Sequence, residues 1–145
     1  MLHAEGIHSA VDTAGNVPWS HFEAVLPDTD LFLYDVKCMD PAVHEAYTGV
    51  NNARILENLG LLLDSGAAVW IRVPVIPSVN DTHENMAQLR DFLSKHKQPG
   101  KIELLPYHSI GISKAHAIGK EQSVFEIPTQ AKIEELEQYL LQSTK

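Results

Sequence analysis

The chain has 145 residues, enough for one domain by the usual size prior, with 44% hydrophobic and 21% charged residues. That composition excludes a disordered or low-complexity protein. The net charge of −8 with histidine neutral, and the lack of any Lys/Arg run, exclude the basic footprint of a nonspecific nucleic-acid binder.

No apolar stretch approaches the roughly 18 residues of a membrane span, and the start of the chain, Met1-Leu2-His3-Ala4-Glu5, lacks the basic and apolar regions of a secretory signal. The single cysteine, Cys38, forms no internal disulfide and by itself holds no zinc or iron–sulfur site. The expected location is the reducing cytoplasm.

Four apolar segments read as strands: Ile7 to Thr13, Leu31 to Lys37, Ala67 to Pro77, and Lys101 to His108. Their richness in Val, Ile and Leu without clean alternation predicts burial on both faces. Their starts lie about 24 to 36 residues apart, the spacing of βα units. Between them the grammar is helical. Pro18 suits a first helical turn, with Phe22, Val25 and Leu26 facing inward. Asp40-Pro41 is a cap followed by proline at the first helical position, and Gly49 suits the end of that helix. Ile55, Leu56, Leu59, Leu62 and Leu63 form one stripe, closed by Gly66 as a left-handed cap. Asp81 with Glu84 has the spacing of a capping box ahead of Met86, Leu89, Phe92 and Leu93. A last helix begins near Thr129 and carries Ile133, Leu136, Leu140 and Leu141.

Repeated strand-then-helix units predict a parallel sheet with outer helices, in a single α/β domain spanning residues 1–145. Four units describe either a small open sheet or part of a (β/α) barrel, since a full eightfold barrel takes about 250 residues. In such folds ligands meet the carboxyl ends of the strands. Those ends here carry Asp12 and Thr13, Asp35 and Lys37, Arg72, and Tyr107 with His108. Unpaired charge is costly inside a sheet, so four polar strand ends on one rim mark a candidate site. Each has a plainer reading. Asp12 and Thr13 suit a helix cap. Asp35 and Lys37, two apart on one strand face, suit an ion pair with Arg72 as a structural partner. The other histidines show no HxH or HExxH spacing for zinc.

Five motifs in order carry a resemblance. They are Val11-Asp12-Thr13-Ala14-Gly15-Asn16, Asp30-Leu31-Phe32-Leu33-Tyr34-Asp35-Val36-Lys37-Cys38-Met39-Asp40, Thr48-Gly49-Val50-Asn51-Asn52, Ile71-Arg72-Val73-Pro74-Val75-Ile76-Pro77-Ser78-Val79-Asn80-Asp81, and Glu103-Leu104-Leu105-Pro106-Tyr107-His108 with Gly111 and Lys114. Together, from about Gly6 to Gly119, they resemble the glycyl-radical enzyme activating enzymes of the radical S-adenosylmethionine superfamily, a group that includes pyruvate formate-lyase activase. The resemblance implies a partial TIM-type barrel, the last four βα units of an open (β/α)6 barrel. It implies S-adenosylmethionine as cofactor and, in the full-length family, a 4Fe-4S cluster on a CxxxCxxC loop. The reduced cluster cleaves S-adenosylmethionine to a 5′-deoxyadenosyl radical, which takes a hydrogen atom from a glycine of a partner glycyl-radical enzyme. Flavodoxin or ferredoxin supplies the electron.

By position, the resemblance assigns Asp12, Lys37, Arg72 and His108 to the cofactor, and Arg72, Tyr107 and His108 to the glycine loop of the partner. It assigns Asp12, Thr13 and Asp35 to a monovalent cation beside the cofactor's carboxylate. CxxxCxxC and the family's Gly-Gly-Glu segment are absent, and Ser78 stands where a glycine is common. The expectation is therefore a cofactor- and substrate-binding portion that does not perform the radical reaction alone. Two other readings use the same residues differently. One is a divalent-metal hydrolase or isomerase barrel with Asp12, Asp35 and His108 as ligands. The other is a noncatalytic interaction protein, with the outer edge of the first strand inviting a homodimer.

Overall fold

The structure is a computed structural model that describes residues 3–106 and 126–141. Four parallel strands form one sheet in the order β1-β2-β3-β4: β1 is Ala10–Thr13, β2 Leu31–Asp35, β3 Val69–Val75 and β4 Lys101–Pro106. The helices are α1, Trp19–Val25; α2, Pro41–Thr48; α3, Ala53–Asp64; α4, His83–Ser94; and α5, Gln130–Leu141. Strand order follows chain order without reversal. That is the winding of a barrel wall rather than of a doubly wound sheet with a switch point.

The core lies between the helices and one sheet face. Phe32, Tyr34, Val69, Ile71, Val73 and Leu104 pack against Phe22 of α1, Leu59 and Leu62 of α3, Met86 and Leu89 of α4, and Leu136 of α5. The α3 stripe buries Ile55, Leu59, Leu62 and Leu63, and Gly66 follows it in the left-handed conformation, its N–H donating to the Leu63 carbonyl. At α2, Asp40 accepts from the Val43 N–H, Pro41 opens the helix and Gly49 closes it with φ 82°.

Burial on both strand faces is overturned. Along β3, Val69, Ile71, Val73 and Val75 are buried, whereas Trp70 is 40% exposed and Arg72 and Pro74 are half-buried. Among the described residues, helices cover only the face of the odd-numbered β3 residues, so the other face can carry charge. The capping box is also corrected. Thr82 caps α4 by accepting the Asn85 N–H, while Asp81 accepts the Ser78 N–H. Val25 and Leu141 point outward, the latter 64% exposed, because α1 and α5 end there. β1 begins at Ala10 rather than Ile7. Gly6 turns with φ 69°, and the Ser9 N–H is held by the Asp30 carboxylate at 2.7 Å.

Candidate active-site face

Strand register decides which side chains meet. Asp12 lies opposite Leu33, Asp35 opposite Arg72, and Arg72 opposite Glu103. Leu33 and Asp35 are two residues apart, so the pleat places Asp12, Asp35, Arg72 and Glu103 on the same face, away from the helices. Arg72 is the centre. Its Nε and Nη2 donate to Asp35 Oδ1 at 2.9 and 2.8 Å, and Nη2 also donates to Asp12 Oδ1. Burial opposes the guanidinium charge, yet the hydrogen bonds and charges of Asp12 and Asp35 outweigh it and raise the Arg72 pKa. Lys37 Nζ lies 3.7 Å from the other Asp35 oxygen. Exposure falls from 63% at Asp12 to 27% at Asp35 and 22% at Arg72, so the array is open to solvent on the β1 side.

Further down this face, toward the strand N-termini, Lys101 Nζ sits 5.2 Å above the Trp70 ring and 3.8 Å from Glu103.

Of the residues singled out from sequence, the fold thus brings together Asp12, Asp35, Lys37 and Arg72. Thr13 lies in register with Tyr34, whose side chain is buried among the helices. The Thr13 side chain is therefore on the opposite face from Asp12, and its hydroxyl oxygen accepts the Gly15 N–H at 3.0 Å. Tyr107 and His108 lie outside the described residues, as do Gly111 and Lys114. Among the described residues no three His, Cys, Asp or Glu side chains come together for a metal ion.

Sequence reasoning missed the asparagines that support this face. Asn58 donates to the Gly15 and Val17 carbonyls at 2.8 and 2.7 Å, fixing the loop after β1. Asn52 donates to the Cys38 and Met39 carbonyls at 3.1 and 2.8 Å, and Asn85 accepts the Met39 N–H at 2.8 Å. A polar residue inside an apolar helical stripe, as Asn58 is between Ile55 and Leu62, was the available signal, because a buried amide needs partners.

The donor set bears on which groups the chain could hold. With one cysteine in the sequence, itself buried and with its thiol pKa pushed up by burial, the chain does not fit an iron–sulfur cluster. Paired carboxylates beside a lysine and an arginine do fit a ligand bearing both an ammonium and a carboxylate group.

No protein-family model matches the chain. Among solved structures, a domain of a pyruvate-formate lyase-activating enzyme from Bacteroides vulgatus superposes with a TM-score of 0.81 at 28% identity, covering 97% of this chain and 79% of that one. A radical SAM methyltransferase from Sphaerobacter thermophilus shares the fold at a TM-score of 0.62 and 19% identity, over 94% of this chain and 39% of its own. The fold is thus the partial barrel that these two proteins share.

Curated relatives narrow it. The trans-4-hydroxy-L-proline dehydratase activating enzyme of Clostridioides difficile is 39% identical over 140 residues, 94% of this chain and 46% of that protein. The pyruvate formate-lyase-activating enzyme of Clostridium pasteurianum is 33% identical over 142 residues, 97% and 59%. The (2S)-3-sulfopropanediol dehydratase activating enzyme of Klebsiella oxytoca is 40% identical over 119 residues, 80% and 37%. The chain is a homologue of the glycyl-radical enzyme activating enzymes, and it spans about half the length of the curated relatives it matches.

Proposed function

We propose that this chain is the part of a glycyl-radical enzyme activating enzyme that receives S-adenosylmethionine and the glycine loop of a partner enzyme. The observation that carries this reading is the Asp12–Arg72–Asp35–Lys37 array at the strand ends. Lys37 offsets the cofactor's carboxylate, and Asp12 and Asp35 accept from its ammonium or hold a monovalent cation beside it. Cation binding with Thr13 requires the Arg72 guanidinium to release at least one carboxylate, and its Thr13 ligand would be the backbone carbonyl. The freed guanidinium then faces the substrate peptide, to which the family resemblance also assigns Tyr107 and His108.

When bound with a reduced 4Fe-4S cluster, S-adenosylmethionine supplies the radical that takes hydrogen from glycine. This chain's one thiol does not supply the cluster's ligands, so its own contribution is binding, orientation and exclusion of water. Flavodoxin or ferredoxin as reductant, a cytoplasmic location, and pairing of the β1 edge with a second copy complete the proposal.

The test is a two-dimensional NMR titration of the 145-residue chain with S-adenosylmethionine, and separately with a glycine-centred peptide. The expected shifts fall on the backbone amides of residues 12–15, 35–39 and 72–73, and Lys37→Met weakens S-adenosylmethionine binding by about tenfold, the loss of one charged hydrogen bond. Perturbations confined to the helix-covered face, or none at millimolar ligand, overturn the reading.

A further inference from the structure

Lys37 lies just beyond the point where β2 stops pairing with β3, and the reason for that stop is chemical. The Val36 N–H donates to the Arg72 carbonyl at 2.9 Å. In a parallel ladder the next bond comes from the N–H two residues further along the partner strand. That residue is Pro74, which has none. The paired register accordingly ends at Asp35 and Arg72. Without another tie, the chain would be free to splay at the residue that carries the lysine.

The tie is Asn80, whose side chain is fully buried. Its Nδ2 donates to the carbonyl of Lys37 and, at 2.7 Å, to that of Pro74, while its Oδ1 accepts the Ile76 N–H at 2.7 Å. One carboxamide thus joins the ends of two strands and the turn after the second. With Asn52 and Asn85 on the next two residues, the backbone from Lys37 to Met39 is held by three buried amides. Lys37 keeps one free variable, its side-chain torsions.

We infer that Asn80 is a positioning residue for Lys37, tying the strand end down at the Lys37 carbonyl, one residue beyond the Val36 carbonyl to which Pro74 offers no ladder N–H, and so setting where the Lys37 ammonium meets a ligand's anionic group beside Asp35. The inference rests on the proposed function in taking Lys37 as a ligand contact.

The experiment is a double-mutant cycle read by S-adenosylmethionine binding to the 145-residue chain, with thermal stability measured alongside. Asn80→Ser is expected to weaken binding about as much as Lys37→Met, and the pair Lys37→Met/Asn80→Ser no further, because both remove one contact. Pro74→Ala gives the Val36 carbonyl a ladder N–H and so ties β2 again one residue before Lys37; Pro74→Ala/Asn80→Ser is therefore expected to recover at least half of the lost affinity. A purely structural Asn80 would lower stability while leaving affinity unchanged, or would give additive losses, and either result overturns the inference. If Asn80→Ser alone does not fold, the inference stands or falls on Pro74→Ala/Asn80→Ser, measured against Pro74→Ala. If Lys37→Met leaves binding unchanged, or the chain does not bind S-adenosylmethionine, the functional reading fails first and the inference with it.

Discussion

Gly15 is the position where one added methyl group does the most damage. Its φ of +76° lies in the left-handed region, and a Cβ built there sits 1.8 Å from the Tyr34 hydroxyl oxygen and 2.3 Å from Cζ. Tyr34 has nowhere to go. It is fully buried, its O–H donates to the Ile55 carbonyl at 2.6 Å, and its ring stacks near Phe22. Burial also raises its hydroxyl pKa, so it remains a protonated donor throughout the neutral range. Gly15→Ala then carries about 1–2 kcal/mol for the left-handed alanine. It adds about 1–3 kcal/mol for forcing an aromatic ring out of a packed site, and about 1–3 kcal/mol if the buried hydroxyl loses its partner.

The expected loss, roughly 3–8 kcal/mol on these figures, is a large share of a typical domain's stability of about 5–15 kcal/mol. Urea unfolding followed by far-ultraviolet circular dichroism measures it. Tyr34→Phe removes the atom nearest the new methyl group, so the double variant should lose less than the two single losses added together. Gly15→Ala costing under about 1 kcal/mol, below even the backbone penalty, or full additivity with Tyr34→Phe, would show that Tyr34 does not wall in Gly15.

Four further outcomes are expected. Arg72→Met should destabilise the chain by about 1–2 kcal/mol, discounted for partial exposure. Arg72→Lys should recover only part of this because lysine lacks the fork that spans two carboxylates; equal stability of all three proteins in urea would count against the array. Ser78 holds φ 67° without being glycine, so Ser78→Gly should raise stability by roughly 0.5–1 kcal/mol after the flexibility added to the unfolded chain; an unchanged urea midpoint would show the turn to be unstrained. The hydrogen bond from His96, with the Lys97 N–H, lowers the Asp64 pKa from its ordinary 3.8. That stabilisation is complete above pH 3.8 and lost as pH falls through the lower folded value, so Asp64→Asn should flatten the melting-temperature profile in that acid interval. Cys38 is 3% exposed with its thiol pKa raised by burial, so iodoacetamide should modify it at pH 8 far more slowly in the native chain than in urea; equal rates would refute its burial.

The alternation of strands and helices was legible because α3 writes its buried stripe at helical spacing and Gly66 punctuates it. The convergence of Asp12, Asp35 and Arg72 followed from parallel strands sharing one rim. Three things were harder to see. Runs such as Val69 to Val75 look apolar throughout, and one-sided burial shows only once Trp70 and Arg72 are recognised as sharing a pleat. The opposite side-chain direction of Thr13 was decidable from its adjacency to Asp12, since strand faces alternate at every residue. The asparagines' partners were not decidable, although Asn58 inside an apolar stripe signalled that it needed some. Asn58, Asn80 and Asn85 bind backbone groups 41 to 46 residues away in sequence, and an amide's remote partners leave no local pattern.

The uncovered face has a further consequence for how it would select its guests. The chain as a whole is acidic, at −8. Yet among the described strand residues on this face, together with Lys37, three carboxylates (Asp12, Asp35 and Glu103) stand against three cations (Lys37, Arg72 and Lys101). Such a surface is isoelectric at neutral pH before anything arrives. A ligand's amino-acid end, ammonium plus carboxylate, would dock by swapping ion pairs one for one, adding no net charge at this face and displacing few counterions, so its share of the affinity should change little with ionic strength. A ligand whose end carries a carboxylate without an ammonium would strand one of the resident charges, and the face would disfavour it without any steric barrier.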